Sequence, residues 1–444
     1  METKQIDKCY FPPRGIGHME RPRGELCASI LETKNSRSPQ QVTKNKFELR
    51  MRERYYLFIV MIIVPLPQMA TDIYFPSLPA IALNFGASAH AMMLSVSVFL
   101  FGLGISQLFY GYFSDRMGRR PIIIMGIALF IIATMLCIFS HRIHEFIAYR
   151  LLQGLGIGAG SIIPKAVITD LYRGKKLSII ILIMTMIWSL TTIVSPALGG
   201  IIQQYFNWKA NFYILLMYSV VLLIAIFIFS LETLPAHISE EKIFKLNVHE
   251  NIFRNRIFIT NTLCMSVLFS IIIAFNSSSS FIFQKHFNLA PKRFGFIIML
   301  IGLSYFIGSI INLTLLKNRI NYDILAKIGF FWMITCNTLL VIFSNNNIAF
   351  IIIAMGGVMM GLSLVYPICM SRALNAMRVN AGMASAVIGC SLMICSSVVI
   401  QFISRIENLT INKITLFILS LSTISGIIYR FSGEALPERS RDHI

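Results

Sequence analysis

Long apolar runs separated by short polar loops dominate the chain after its first 54 residues. An apolar run of about 20 residues crosses a bilayer as a helix, because all of its backbone polar groups are then satisfied internally. The predicted spans are 56–78, 91–113, 121–140, 145–169, 177–203, 211–231, 257–280, 294–316, 324–343, 347–370, 380–402 and 412–430. The pattern therefore predicts an all-α membrane protein with 12 transmembrane helices.

The lengths of the loops divide these spans into two groups of six. The longest internal loop, 232–256, is charged and follows the sixth span. We therefore predict two six-helix bundles, 55–231 and 257–431, joined by a cytoplasmic linker and followed by a C-terminal tail, 432–444. Transporters are often built from such repeats, with the substrate site at the interface between them.

The composition supports a membrane location. Charged residues make up 13% of the chain and hydrophobic residues 56%, whereas about 25% of a soluble domain is charged. The net charge is +19, but Lys and Arg concentrate in the N-terminal tail and in the loops after even-numbered spans. Such loops face the cytoplasm, so both termini are predicted to be cytoplasmic. The charge then indicates a lipid bilayer and requires no nucleic-acid partner.

The N-terminal tail, 1–54, mixes both signs of charge and lacks the apolar segment of a signal peptide. Two interpretations stay open. The tail is either a disordered cytoplasmic segment or a stretch that precedes the true start, for which Met51 is the candidate.

The loop GYFSDRMGRRP, 111–121, concentrates charge between spans two and three. A positive cytoplasmic loop explains the arginines as a topology anchor, but not the glycines and the proline. The pattern resembles the GxLxDRxGRRP signature of the major facilitator superfamily. The resemblance implies a conformational latch that holds the outward-facing state closed on the cytoplasmic side, in which Asp115 and Arg119 pair with the acid that ends span four. The residues of this predicted latch are Gly111, Asp115, Arg116, Gly118, Arg119, Arg120 and Asp170.

Three further motifs agree with this family. YRLLQGLGIGAG (149–160) resembles its RxxQGxGxG motif and places Arg150 inside span four, where a charge requires a partner or a water-filled cavity. SPALGG resembles the antiporter motif GPxxGG, with serine at the first position; its key residues are Ser195, Pro196, Gly199 and Gly200. TDIYFPSLP (71–79) resembles the TDxYLPALP signature of the Bcr/CflA drug-resistance branch.

Asp72 is the only one of the 20 acidic residues that lies in the interior of a predicted span; the others lie in the tails, in loops or, like Glu145, at the end of a span. We predict that it carries the coupling proton, because a carboxyl balanced between apolar surroundings and a nearby cation can gain and lose a proton. Arg150 or Lys165 would supply that cation. The alternative is a structural role, in which Asp72 caps a helix broken by the neighbouring prolines or neutralises a basic residue.

A mostly apolar substrate cavity with a few polar anchors is expected between the bundles. The candidate anchors are Tyr74, Gln107, Gln153, Lys165, Asn276 and Tyr305. Each has interhelical packing as its alternative role. The serine run 277–280 is expected at the outer end of span seven, in contact with water.

These observations predict a secondary transporter. The favoured function is proton-coupled efflux of drug-like compounds by a monomer, and the resemblance implies the bacterial inner membrane. Alternatives are transport of a specific metabolite or, from another class, a receptor or scaffold that does not transport. The sequence has no GxxxxGK[ST] loop, no GxSxG and no His cluster, and its eight cysteines lack metal-ligand spacing. We therefore predict no enzymatic activity, no metal and no cofactor, with the proton gradient as the energy source.

Overall fold

The computed structural model describes residues 56–172, 174–229, 232, 254–317, 321–343, 347–377, 381–406 and 409–432. The predicted N-terminal tail, almost all of the linker and nearly all of the C-terminal tail lie outside these residues. Within the described residues all regular structure is helical.

In this described part of the chain, twelve helices are long and apolar enough to cross a membrane, which confirms the predicted all-α fold. We number them α1 (Tyr56–Phe85), α2 (Ala89–Met117), α3 (Arg119–Phe139), α4 (Ile143–Leu171), α5 (Gly174–Tyr205), α6 (Trp208–Phe229), α7 (Arg256–Phe281), α8 (Pro291–Lys317), α9 (Tyr322–Phe343), α10 (Ile348–Ala376), α11 (Ala381–Ser404) and α12 (Ile411–Arg430). We call the end of the molecule with the α1–α2 connection the upper face and the end with the α2–α3 connection the lower face.

α1 is longer than predicted and is interrupted near its middle. One regular segment, Pro65–Asp72, ends before a single 3-10 turn, Phe75–Ser77, and a second segment, Leu78–Phe85, follows. Proline has no backbone N–H to donate, so Pro76 and Pro79 prevent a continuous ladder of hydrogen bonds here. Because proline fits the first turn of a helix, the chain resumes its helix instead of ending at residue 78.

Glycines allow the helices of the first half to pack backbone against backbone. A Cβ atom added at Gly154 of α4 would lie 2.1 Å from the carbonyl oxygen of Phe99 in α2. One added at Gly156 would lie 2.5 Å from the backbone nitrogen of Phe130 in α3. Small residues at such positions are the usual means of close helix packing in membranes, so α4 is held tightly between α2 and α3.

Two helix pairs join the first six helices to the second six. α2 packs along α11, where the Ser97 hydroxyl donates to the carbonyl oxygen of Ser397 at 2.9 Å. α5 packs along α8. Near the upper face, the Ser280 hydroxyl of α7 also donates to the carbonyl oxygen of Phe75 in α1, at 2.6 Å. The break in α1 is therefore in direct contact with the second half.

The expectation that the serine run of α7 contacts water is wrong. Ser277, Ser278, Ser279 and Ser280 are all fully buried. The helix does not end at these serines, because a π-helical turn, Ile282–His286, continues it toward the upper face. The hydroxyls lie inside the bundle and donate mainly to carbonyls of their own helix.

Candidate functional site

Asp72 ends the first regular segment of α1 and is 0% exposed. Its Oδ2 atom accepts a hydrogen bond of 2.6 Å from Nε2 of Gln68, one helical turn earlier, while its Oδ1 atom has no partner among the described residues. Neither Arg150 nor Lys165 forms an ion pair or hydrogen bond with it. Burying a polar atom without a hydrogen bond costs free energy. The Oδ1 atom of this carboxyl is therefore a position at which a proton or a new hydrogen-bond donor would be stabilising.

The antiporter-motif glycines pack directly beside this acid. A Cβ atom at Gly199 of α5 would lie 2.0 Å from the carbonyl oxygen of Ile73. Asn211 of α6 reinforces the contact, since its Nδ2 atom donates to Ser77 Oγ at 2.8 Å and to the Gly199 carbonyl at 3.3 Å. α5 and α6 thus hold the interrupted part of α1 from one side.

The same motif also contacts the second half of the molecule. A Cβ atom at Gly200 would lie 2.4 Å from the carbonyl oxygen of Pro291, and one at Gly295 of α8 would lie 2.4 Å from the carbonyl oxygen of Pro196. Ser195, which replaces the first glycine of the motif, is buried. The motif therefore connects the segment next to Asp72 with the α5–α8 contact.

Arg150 is fully buried in an aromatic cage and has no carboxylate partner among the described residues. The centre of its guanidinium group lies 4.0 Å from the ring centroid of Phe99 and 4.5 Å from that of Tyr74. Its Nη1 atom donates to Gln153 Oε1 at 2.5 Å, and Gln153 in turn donates to Thr134 Oγ1 at 2.8 Å. Cation–π contacts stabilise such a desolvated cation by about 2 kcal/mol. The Nε and Nη2 atoms of Arg150 have no hydrogen-bond acceptor among the residues that the structure describes.

The predicted latch residues come together at the lower face, in what we call the first-half charge cluster. Arg119 Nε donates to Asp170 Oδ2 at 3.1 Å, and its Nη1 atom donates to Asp115 and to Ser114. Arg116 instead stacks on the Tyr112 ring, 4.4 Å from its centroid. The ion pairs join α2, α3 and α4.

Glu232 completes this cluster, and the sequence analysis missed it. Its two carboxylate oxygens accept from the backbone N–H groups of Arg119 and Arg120, at 2.8 and 3.2 Å. A carboxylate at that position stabilises a helix N-terminus, here the start of α3. Gly118 permits the approach: it has φ 98° and ψ 156°, and a Cβ atom there would lie 2.3 Å from Glu232 Oε2.

The side chain of Arg120 and the backbone at Gly111, two other latch positions, contact neighbouring helices of the first half. Arg120 donates from Nη2 to the carbonyl oxygen of Phe227 in α6, at 3.0 Å. Gly111 has one neighbour at ordinary distance, Ile162 at 3.8 Å from an added Cβ. The described hydrogen-bond partners of Arg119 belong to the first half and to Glu232 just beyond it, so these contacts fasten that half internally.

A second charge cluster lies at the lower face of the second half. Arg372, near the end of α10, donates from Nη2 to Oδ1 of Asp323, near the start of α9, at 2.6 Å. The Tyr429 hydroxyl of α12 donates to the same oxygen at 3.0 Å. These positions match the start of α3 and the end of α4, with the two charges exchanged. That reciprocal arrangement is a signal in the sequence that the analysis of motifs overlooked.

The candidate substrate anchors are spread over several helices. Tyr74 and Gln153 are buried beside Arg150. Gln107 of α2 lies against Gly389 of α11, where an added Cβ would be 2.1 Å from its Oε1 atom, so this anchor reaches the opposite half. Asn276 is buried in α7, whereas Lys165 is exposed on α4 and Tyr305 half-buried on α8. The structure therefore does not gather the six anchors around one point.

Twelve membrane-length helices in the described part of the chain, arranged as two halves, define the class of this protein as a multi-pass membrane protein. The sequence profile of the Major Facilitator Superfamily matches residues 60–400. The chain belongs to that family.

Similar proteins agree with this assignment. The chain is 26% identical over 358 residues to an uncharacterized MFS-type transporter, YdgK, of Bacillus subtilis (strain 168), covering 78% of this chain and 88% of YdgK. It is 25% identical over 377 residues to the multidrug resistance protein MdtL of Shigella flexneri serotype 5b (strain 8401), covering 84% and 94%. A D-xylose–proton symporter superposes with a TM-score of 0.70 at 12% identity, covering 86% of this chain and 98% of the symporter. At that identity the likeness concerns the fold.

Proposed function

We propose that the protein is a proton-coupled exporter of drug-like, amphipathic small molecules, of the Bcr/CflA type. It works as a monomer in the bacterial inner membrane, with the lower face and both termini in the cytoplasm. Export proceeds by alternating access, in which the two halves expose the substrate site first to one side and then to the other. The energy comes from the proton gradient.

The environment of Asp72 carries the proposal. The carboxyl is wholly buried and, among the residues that the structure describes, has one hydrogen-bond donor and one oxygen without a partner. It also borders the interrupted segment of α1, which contacts both α5 and α7. A movement of the halves therefore changes the surroundings of the carboxyl, and a change of surroundings is what loads or releases a proton. Gln68 holds the carboxyl in place between these events.

The substrate class rests on one relative and on one stretch of the sequence. MdtL is named a multidrug resistance protein, and the TDIYFPSLP stretch resembles the drug-resistance branch.

The test uses inverted membrane vesicles, a pH-sensitive dye and a panel of lipophilic antibiotics. Energised vesicles with the wild-type protein are expected to release protons when a substrate is added, and those with Asp72→Asn are expected to show only background release. Glu145→Gln is the matched control, because Glu145 is an acid near the upper face whose hydrogen bonds are to exposed backbone N–H groups.

The possible outcomes test proton coupling through Asp72 and drug export separately. Equal release by wild type and Asp72→Asn, with the drug still exported, would assign the proton to another group and return Asp72 to a structural role. A folded wild-type protein that responds to no compound on the panel would remove the exporter proposal and favour a specific metabolite or a scaffold.

A further inference from the structure

A cavity of about 560 Å³ opens at the upper face where the two halves meet. That volume lies within the range of small-molecule sites. Residues at the start of α2 line the cavity on the side of the first half, and residues at the ends of α7 and α11 line it on the side of the second half. Its lining includes His90, Phe281, Lys285, His286, Arg405 and Leu409.

The cavity is basic. His90, Lys285, His286 and Arg405 line it, and all four side chains are at least partly exposed. Among the described residues of the lining there is no Asp or Glu; Glu407 lies outside the described residues. Lys and Arg are enriched at the cytoplasmic face because positive loops set the orientation of a membrane protein. That rule does not account for Lys and Arg at the opposite face. The positive charge here therefore needs another explanation.

The geometry of α7 places two of these groups at the cavity. Lys285 and His286 lie in the π-helical turn that ends the helix. Such turns are rare in proteins, and those that occur are often found at functional sites. The ammonium group of Lys285 lies 5.6 Å from the centroid of the Phe281 ring, so an apolar ring and a cation are presented side by side. Leu409 adds apolar surface on the other wall.

The cavity also spans the junction between the halves. His90 Nδ1 is hydrogen-bonded to the carbonyl oxygen of Ser404, at 3.1 Å, which links α2 to α11. A molecule in the cavity therefore touches elements of both halves.

We propose that this cavity is an external binding site for amphipathic organic anions, in which a carboxylate, sulfonate or phosphate group meets the four basic side chains and an apolar body lies on Phe281 and Leu409. Charge-assisted hydrogen bonds from Lys285 and Arg405 supply the selectivity for an anion. The site depends on neither Asp72 nor the direction of transport. It rests on the proposed function only for the orientation of the chain, which makes the upper face external, so a binding experiment tests it separately.

The experiment measures binding to the full-length protein in phosphatidylcholine nanodiscs by calorimetry. The probes are 2-naphthalenesulfonate, the neutral 2-naphthalenesulfonamide and the cationic 2-naphthylmethylammonium, which share one apolar body. We expect the sulfonate to bind about tenfold more tightly than either analogue, and the double variant Lys285→Gln/Arg405→Gln to lose about tenfold in affinity for it. These side chains lie at the surface of the cavity, so the variant is expected to fold.

The matched control is Lys209→Gln/Lys292→Gln. It removes the same number of charges from the same face, but neither residue lines the cavity. Equal binding of the three probes, unchanged binding by the cavity variant, or an equal loss in the control variant would each overturn the proposal. Nanodiscs with phosphatidylglycerol identify the source of the anion: competition with the sulfonate indicates a lipid headgroup, and its absence indicates a free organic anion.

Discussion

At the residue scale, two glycines with positive φ differ in what surrounds them. Gly86 has φ 58° and no neighbouring atom within 4 Å of an added Cβ, whereas Gly118 has φ 98° and the Glu232 carboxylate against it. The ψ of Gly118, 156°, also places it in a backbone region that is essentially restricted to glycine. The motif glycine is therefore required by its own backbone and by a distant acid.

Gly118→Ala is expected to destabilise the protein by about 2–4 kcal/mol, the sum of backbone strain and the lost capping of α3. Gly86→Ala is expected to cost only about 1–2 kcal/mol, the strain alone. Thermal unfolding of the purified proteins in detergent measures the difference. Equal losses in the two variants would mean that Glu232 does not constrain the loop.

At the scale of helices, the α5–α8 contact depends on backbone approaching backbone. An added Cβ at Gly295 meets a backbone carbonyl at 2.4 Å, which cannot move without shifting α5. One added at Gly302 meets the side chain of Ile193 first, at 3.3 Å. The two positions lie on one helix and face one partner, so they form a matched pair.

Gly295→Ala is expected to cost about 1–3 kcal/mol through overpacking and to slow transport, because it separates α8 from the segment that holds the break in α1. Gly302→Ala is expected to cost less than about 1 kcal/mol, since a rotamer change relieves the contact. Melting temperatures and drug accumulation in whole cells report both effects. A larger loss at Gly302 would contradict the proposed importance of the backbone contact.

The local pattern of apolar residues predicts where the helices lie but not where all of them end. The positions of the helices follow from runs of apolar residues, and most observed ends lie within a few residues of the predicted ones. The clear misses are the continuation of α1 to Phe85, of α7 through a π-helical turn to His286 and of α10 to Ala376. The added residues of α1 are mainly apolar and follow two prolines that suggested an end, whereas those of α7 and α10 are mixed in polarity.

At the scale of the whole molecule, the two halves carry charge clusters with exchanged signs. The base Arg119 begins α3 and the acid Asp170 lies near the end of α4, while the acid Asp323 lies at the start of α9 and the base Arg372 near the end of α10. Each pair ties two helices of its own half at the lower face. Both halves are thus stiffened at the face that carries most of the positive loops.

Both termini are expected on the cytoplasmic side, because an even number of spans returns the chain to its starting side and the positive loops select that side. Green fluorescent protein fused to the C-terminus is expected to fluoresce, and alkaline phosphatase fused there to be inactive. A phosphatase fusion at Asn207, in the α5–α6 connection, is the control and is expected to be active. The reverse pattern would invert the orientation and place the basic cavity inside.

The sequence by itself determined the all-α class, the count of membrane helices, the family and the residues of the charged loop. These depend on apolar length and on turn chemistry within a few neighbouring residues, which are local properties. Only the tertiary structure decided that Glu232 caps α3 across 113 positions and that Arg150 stacks on rings from α1 and α2 and not on the carboxylate of Asp72. The basic cavity likewise combines the ends of three helices. Such contacts join segments far apart in the chain, and helix packing alone selects which of them meet.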